Sequence, residues 1–223
     1  MRILDFSKNS EIFLSKVINL VVDSKKAIFQ LNQLAKKGKD VRLAGEKWDS
    51  DWKTLIAISL SAQSRDETTI KIASALFEKY KSLIALSKAK YSDVLFVLKS
   101  LNYNKTKSKN IIVCAKVLVG EFGGKVPLEI EKLISLPGVG RKTANVFLAE
   151  MGFDAIGVDT HLAYCAQRLG WTQNKNPHKI ESDLCKLFPK SKWKKINPTL
   201  VRFGKTYQSK KEKDKILSEI KEK

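Results

Sequence analysis

Leu136-Pro-Gly-Val-Gly-Arg-Lys-Thr-Ala-Asn-Val-Phe-Leu148 is the stretch whose reading decides the fold. Upstream, Leu128-Glu-Ile-Glu-Lys-Leu-Ile134 places apolar residues at 130, 133 and 134, a helical spacing. Downstream, Val146, Phe147, Ala149 and Met151 continue a second apolar helix face. Between them stand Pro137, Gly138 and Gly140, residue types that stop one helix and permit a tight reversal. The pattern predicts a helix–hairpin–helix over residues 129–151. Glycines lack Cβ, so the backbone there can approach a ligand closely and take positive φ. The free amides opening the second helix, with the helix dipole behind them, then make an anion site. In a basic chain the expected anion is a nucleic-acid phosphate. A lone Gly-Val-Gly would fit a plain helical turn equally well.

Lys142, two residues past the hairpin, and Val158-Asp159-Thr160-His161 move the balance. Leu-Pro-Gly-Val-Gly-Arg-Lys-Thr-Ala followed at short range by Val-Asp-Thr-His closely resembles the signature of the endonuclease III family of DNA-repair glycosylases. Weaker similarity runs from about Trp52 to Gly204. The resemblance implies an all-α fold of two helical domains flanking a DNA-binding cleft. Residues 45–154 would form a six-helix domain, and residues 1–44 with 155–223 a second, discontinuous one. It implies a monomeric base-excision-repair glycosylase with AP-lyase activity on damaged, oxidised pyrimidines in duplex DNA.

Lys and Arg total 42 against 23 Asp and Glu, a formal net charge of +19. A balance this basic points to a polyanion, although a soluble protein with a Lys-rich surface has the same composition. No apolar run approaches the length that spans a bilayer, so no membrane partner is expected. Met1-Arg-Ile-Leu-Asp-Phe-Ser-Lys8 lacks the apolar core of a secretory signal, and a cytoplasmic, DNA-associated protein is the expectation. Cys114, Cys165 and Cys185 are odd in number and far apart, which suits a reducing compartment and fits no metal-ligand spacing.

Along the chain, apolar residues at 13, 17, 20, 21, 28, 31 and 34 predict a long helix stripe, with a break near Asp23-Ser24. Trp52 to Ala62 is nearly all apolar and reads as a buried helix ending in Ser61-Ala-Gln-Ser-Arg-Asp66. As residues alone, Gln63 is a polar helix terminus and Asp66 a cap for the next helix. Leu-Ser-Ala-Gln with an Asp three residues later resembles the same family, which implies more. Gln63 would enter the DNA stack where the damaged nucleotide has left, and Asp66 would lie near the extruded base. The polar loop Leu101-Asn-Tyr-Asn-Lys-Thr-Lys107 departs from the family's Gly-Leu-Tyr-Asn, whose Leu is a wedge. Tyr103 stands there instead, and an aromatic face suits stacking on a base.

Cleaving an N-glycosidic bond develops positive charge on the sugar, so a nearby carboxylate lowers the barrier and an amine can capture C1′. The resemblance gives those roles to Asp159, at a helix start, and Lys142. A Schiff base at C1′ would then acidify the C2′ proton and allow β-elimination of the 3′ phosphate. Gly138, Val139, Gly140, Arg141 and Thr143 of the hairpin would bind DNA. His161 would touch DNA or pack near its helix start. Taken singly, Lys142 reads as a surface lysine and Asp159 as an N-cap. Other readings are a glycosylase for oxidised guanine or mismatched thymine, and a non-catalytic helix–hairpin–helix DNA-binding protein.

Most relatives hold a 4Fe–4S cluster on four C-terminal cysteines, whereas Gln208 falls where the first would be and no cysteine follows Cys185. The expectation is therefore no iron–sulfur cluster and no organic cofactor, with a monovalent cation at the hairpin as the remaining candidate. Trp193, Ile196, Leu200 and Phe203 would hold the C-terminal region by packing against the N-terminal helix. Ser209 to Lys223 reads as a solvated helix.

Overall fold

The structure, a computed structural model, describes residues 22–223. The apolar stripe expected at 13, 17, 20 and 21 lies outside the described residues. Among those described there are twelve α-helices and no strand. The chain divides into two compact units, one of Asp40–Gly157 and one of Val158–Lys223 with the described residues up to Lys39.

In the Asp40–Gly157 unit, α2 (Asp51–Ser61) is the central element. Thr54, Leu55, Ile56, Ala57, Ile58 and Leu60 are all buried, so it is covered on most of its circumference. Its apolar run leaves no polar stripe to face water, and this forces neighbours onto several sides. They are α3 (Asp66–Lys79), α6 (Asn104–Glu121) and α8 (Arg141–Glu150). Between α3 and α6 come α4 (Leu83–Ser87) and α5 (Tyr91–Leu98), both packed on α6. The five-residue α4 is too short to show a helical period in the sequence; Ser82 caps it by accepting from the Ala85 amide at 3.1 Å. Then α7 (Ile130–Ile134) packs on α8. Each fully buried Leu or Ile here stabilises the unit by about 1.5–3 kcal/mol. Trp48 and Trp52 add edge-on contacts to Phe77 at 4.9 and 5.2 Å between ring centroids.

In the second unit, α1 (Ser24–Lys37) starts at Asp23, whose carboxylate accepts from the Lys26 amide at 2.8 Å. It is followed by α9 (Thr160–Leu169), α10 (Pro177–Leu187), α11 (Lys190–Thr206) and α12 (Lys210–Glu222). Ile196, Leu200 and Phe203 of α11 are fully buried, and α11 packs against α1 and α9. A Cβ on Gly38, at the end of α1, would come within 3.1 Å of the Phe203 backbone nitrogen, so the two helices meet closely there. Trp193 is half-buried, its indole donating to the Phe188 carbonyl at 2.8 Å.

The C-terminal segment differs from expectation. Ile216, Leu217 and Ile220 of α12 are buried, and α12 packs against α9 and α1. Asp214 accepts from the Tyr164 hydroxyl and from Arg168 at 3.0 Å, which fixes α12 on α9. A narrow stripe at 216, 217 and 220 is enough to dock one helix face, and the surrounding lysines hide it from a reading by charge.

Candidate nucleic-acid interface and catalytic groups

The hairpin begins where α7 ends. The Leu136 amide donates to the Leu133 carbonyl and the Val139 amide to the Leu136 carbonyl, each at 3.1 Å. Buried Leu136 and Val139 anchor the turn from below, while Gly138 and Gly140 are exposed above. Gly138 has φ +81°, and a Cβ there would stand 2.9 Å from Asn110 Cβ, so glycine is required twice over. Gly140 differs from expectation: its φ of −87° is ordinary, and an added Cβ would meet nothing within 4 Å. It serves as the N-cap of α8 and, having no side chain, offers the first-turn amides no capping oxygen of its own. Arg141 is exposed beside them. Thr143 is buried at 8 % exposure and Val139 at 5 %, so these two side chains face the core and only their backbone groups are left for a ligand.

Lys142 is the second residue of α8 and half-buried. Behind it, Asn145 Nδ2 donates to the Ile156 carbonyl at 3.0 Å. A Cβ on Gly157 would lie 2.3 Å from Val146 Cγ2 and 3.2 Å from the Lys142 carbonyl oxygen. Segment 156–157 is thereby fastened against the helix that carries Lys142, two residues before Asp159 in the chain.

Asp159 caps α9, one carboxylate oxygen accepting from the Leu162 amide at 2.8 Å. The other accepts from the Asn197 side chain of α11 at 3.3 Å. The carboxylate is therefore held in one orientation. His161 packs against α11: a Cβ on Gly204 would stand 2.3 Å from its Nδ1.

Gln63 follows the end of α2, exposed and left-handed at φ +53°. Tyr103 precedes α6, 65 % exposed and left-handed at φ +56°. Asn102 Nδ2 donates to the Gln63 carbonyl at 2.7 Å. Asp66 is half-buried in the first turn of α3; the N-cap is Arg65, one residue earlier than the sequence suggested.

Sequence reasoning missed Lys107. Its ammonium donates to the Leu60 carbonyl at 2.9 Å, the Ala62 carbonyl at 2.7 Å and Ser64 Oγ at 2.9 Å. The residue is only 9 % exposed, and burial pushes the ammonium down to about 8. A signal existed: Lys107 continues the buried stripe of Ile111, Cys114, Ala115 and Leu118 one turn backwards. Asn145 and Asn197 sit likewise at core positions of their helices.

Among the described residues no group of three or more His, Cys, Asp or Glu is placed to hold a metal ion. Cys114 and Cys165 are buried, and burial pushes each thiol up to about 12, away from the thiolate that metals bind. Cys114 belongs to one unit and Cys165 and Cys185 to the other. No helix among the described residues is long and apolar enough to cross a membrane.

Residues 56–190 match the family described as the HhH-GPD superfamily of base excision DNA repair proteins. The chain belongs to this superfamily. Within it, the chain is 40% identical to endonuclease III of Thermotoga maritima over 156 residues, 69% of this chain and 73% of that one. Identity to endonuclease III of Escherichia coli is 34% over 143 residues, 64% of this chain and 68% of that one. Among solved structures, a trapped endonuclease III–DNA covalent intermediate matches with a TM-score of 0.78 at 29% identity, covering 85% of this chain and 89% of that chain. In this superfamily member the hairpin lies within the matched residues, as do Lys142 and Asp159.

Proposed function

We propose that the chain is a bifunctional DNA glycosylase and AP lyase that removes oxidised pyrimidines from duplex DNA. The observation that carries this reading is Lys142 at the start of α8, directly after the hairpin, with residues 156–157, which lead to Asp159, fastened to the same helix. Arg141 and the first-turn amides of α8 bind backbone phosphate, with the helix dipole adding to the attraction. Lys142 Nζ forms a bond to C1′ as the damaged base leaves with the C1′–N bond electrons. Asp159 offsets the developing positive charge on the sugar and takes the proton the amine gives up. The C1′–O4′ bond of the resulting aminal then breaks, O4′ taking up a proton, which gives the Schiff base; loss of its C2′ proton forms the C2′–C3′ double bond and expels the 3′ phosphate with the C3′–O bond electrons.

The target base must leave the stack before any of this happens. Gln63 fills the space it vacates, and Tyr103 stacks from the opposite strand. Asp66 contacts the extruded base.

No iron–sulfur cluster takes part. Four thiolate ligands exceed the three cysteines of the chain, two of which are buried thiols. The C-terminal region is held instead by packing of α11 and α12 on α1 and α9.

The test of substrate class is single-turnover base release from duplexes that differ in one lesion. Release from oxidised pyrimidines should be at least about tenfold faster than from oxidised guanine or mismatched thymine, the low end of what a difference of one methylene group provides in a pocket. The reverse order would move the chain to another lesion class.

A further inference from the structure

Two loops of the Asp40–Gly157 unit share a feature that ordinary loops avoid. Each presents one exposed, non-glycine residue in the left-handed region, Gln63 at φ +53° and Tyr103 at φ +56°. Such residues persist only where their surroundings over-determine the backbone. Lys107 and Asn102 are what over-determine it. The ammonium of Lys107 has three donors, and all three are used on the chain around Gln63: the Leu60 and Ala62 carbonyls and Ser64 Oγ. Two of these acceptors are carbonyls at the C-terminal end of α2, where a cation is favoured by the helix dipole. The backbone of Lys107 meanwhile holds the other loop, its amide donating to the Tyr103 carbonyl at 2.9 Å. Asn102, next to Tyr103, closes the circuit through its 2.7 Å bond to the Gln63 carbonyl.

We propose that Lys107 and Asn102 bind the Gln63 loop and the Tyr103 loop into one rigid piece, so that both side chains enter an opened duplex together. Lys107 is then a positioning residue for base extrusion. It touches neither the sugar nor the base. The inference rests on the reading of Gln63 and Tyr103 as the residues that fill and wedge the stack.

A positioning role of this kind matters only when there is a stack to open. Lys107→Met keeps the length of the side chain and removes the donors. It should slow single-turnover base release from a lesion duplex by about tenfold or more, while release from the same lesion in a single strand stays within about twofold of wild type, because small displacements of a positioning group act on the step it positions. Lys107→Arg should recover part of the duplex rate. Tyr103→Ala should lower the duplex rate less in the Lys107→Met background than in wild type, because a wedge already adrift has less to lose. Asn102→Ala, a change at an exposed side chain, gives the same duplex-against-strand comparison if Lys107→Met does not fold. Equal losses on duplex and single strand, or wild-type duplex rates in both variants, would overturn the proposal. Gln63→Ala and Tyr103→Ala are measured alongside. If neither alters the duplex-to-strand ratio, the wedge reading itself fails, whatever Lys107 does.

Discussion

The side-chain amide of Asn197 donates to one oxygen of the Asp159 carboxylate at 3.3 Å, while the other oxygen accepts from the Leu162 amide at 2.8 Å. An N-cap needs only the second of these bonds. The first fixes the direction in which the free lone pairs of the carboxylate face. Asp159→Asn should keep the cap and the fold, since an amide oxygen also caps, but should lose most base release. Asn197→Ala should lose less, about tenfold, because the carboxylate keeps its charge and only its orientation loosens. Single-turnover rates measure both. Wild-type release by Asp159→Asn would remove the carboxylate from the mechanism.

The two hairpin glycines should behave differently. Gly138 is left-handed and faces Asn110, so Gly138→Ala should destabilise the unit by about 1–3 kcal/mol and weaken binding to damaged and undamaged duplex alike. Gly140 has open space and an ordinary φ, so Gly140→Ala should cost only the preference of an N-cap for glycine over alanine, about 1 kcal/mol or less. Denaturant unfolding and duplex titration check the pair. Equal effects at the two positions would contradict the hairpin geometry.

The hairpin was legible in the sequence because turn chemistry is local: Pro137 and Gly138 mark the reversal without reference to anything distant. The buried α2 was legible for a similar reason, its apolar run needing no partner to be recognised. What stayed hidden depends on tertiary contact. Lys107 reads as one more lysine in a basic chain until the Leu60 and Ala62 carbonyls, more than forty residues upstream, are seen at its ammonium. Gly157 and Gly204 look like loop and helix fillers, although a methyl group on either would collide with Val146 or His161.

The C-terminal helix gives a stability prediction. Leu217 is 1 % exposed, so Leu217→Ala should cost about 2–5 kcal/mol in denaturant unfolding, whereas a solvated tail would register nothing. The same account holds that protein purified without oxygen contains no iron, shows no visible absorbance and melts unchanged after chelation. Stoichiometric iron would contradict it.

Lys107 makes a signed prediction about pH. Burial holds its ammonium at about 8 against the usual 10.5. Between those values the unfolded chain carries the extra proton, so this residue makes stability rise with pH across that window and penalises it below. Stability of wild type relative to Lys107→Met should therefore increase from pH 8 to pH 10.5, with a slope no steeper than about 1.4 kcal/mol per pH unit. A difference that falls over that range would contradict the buried-ammonium assignment.

The central claim is that Lys142 forms a covalent bond to the sugar, and borohydride trapping tests it most directly. Reduction during turnover should join wild-type protein to lesion-containing duplex, and peptide mapping should find the sugar on Lys142. Lys142→Ala should bind duplex with unchanged salt dependence, since the phosphate contacts remain, yet give no crosslink. An undiminished crosslink in Lys142→Ala, or a sugar mapped to another lysine, would contradict the account.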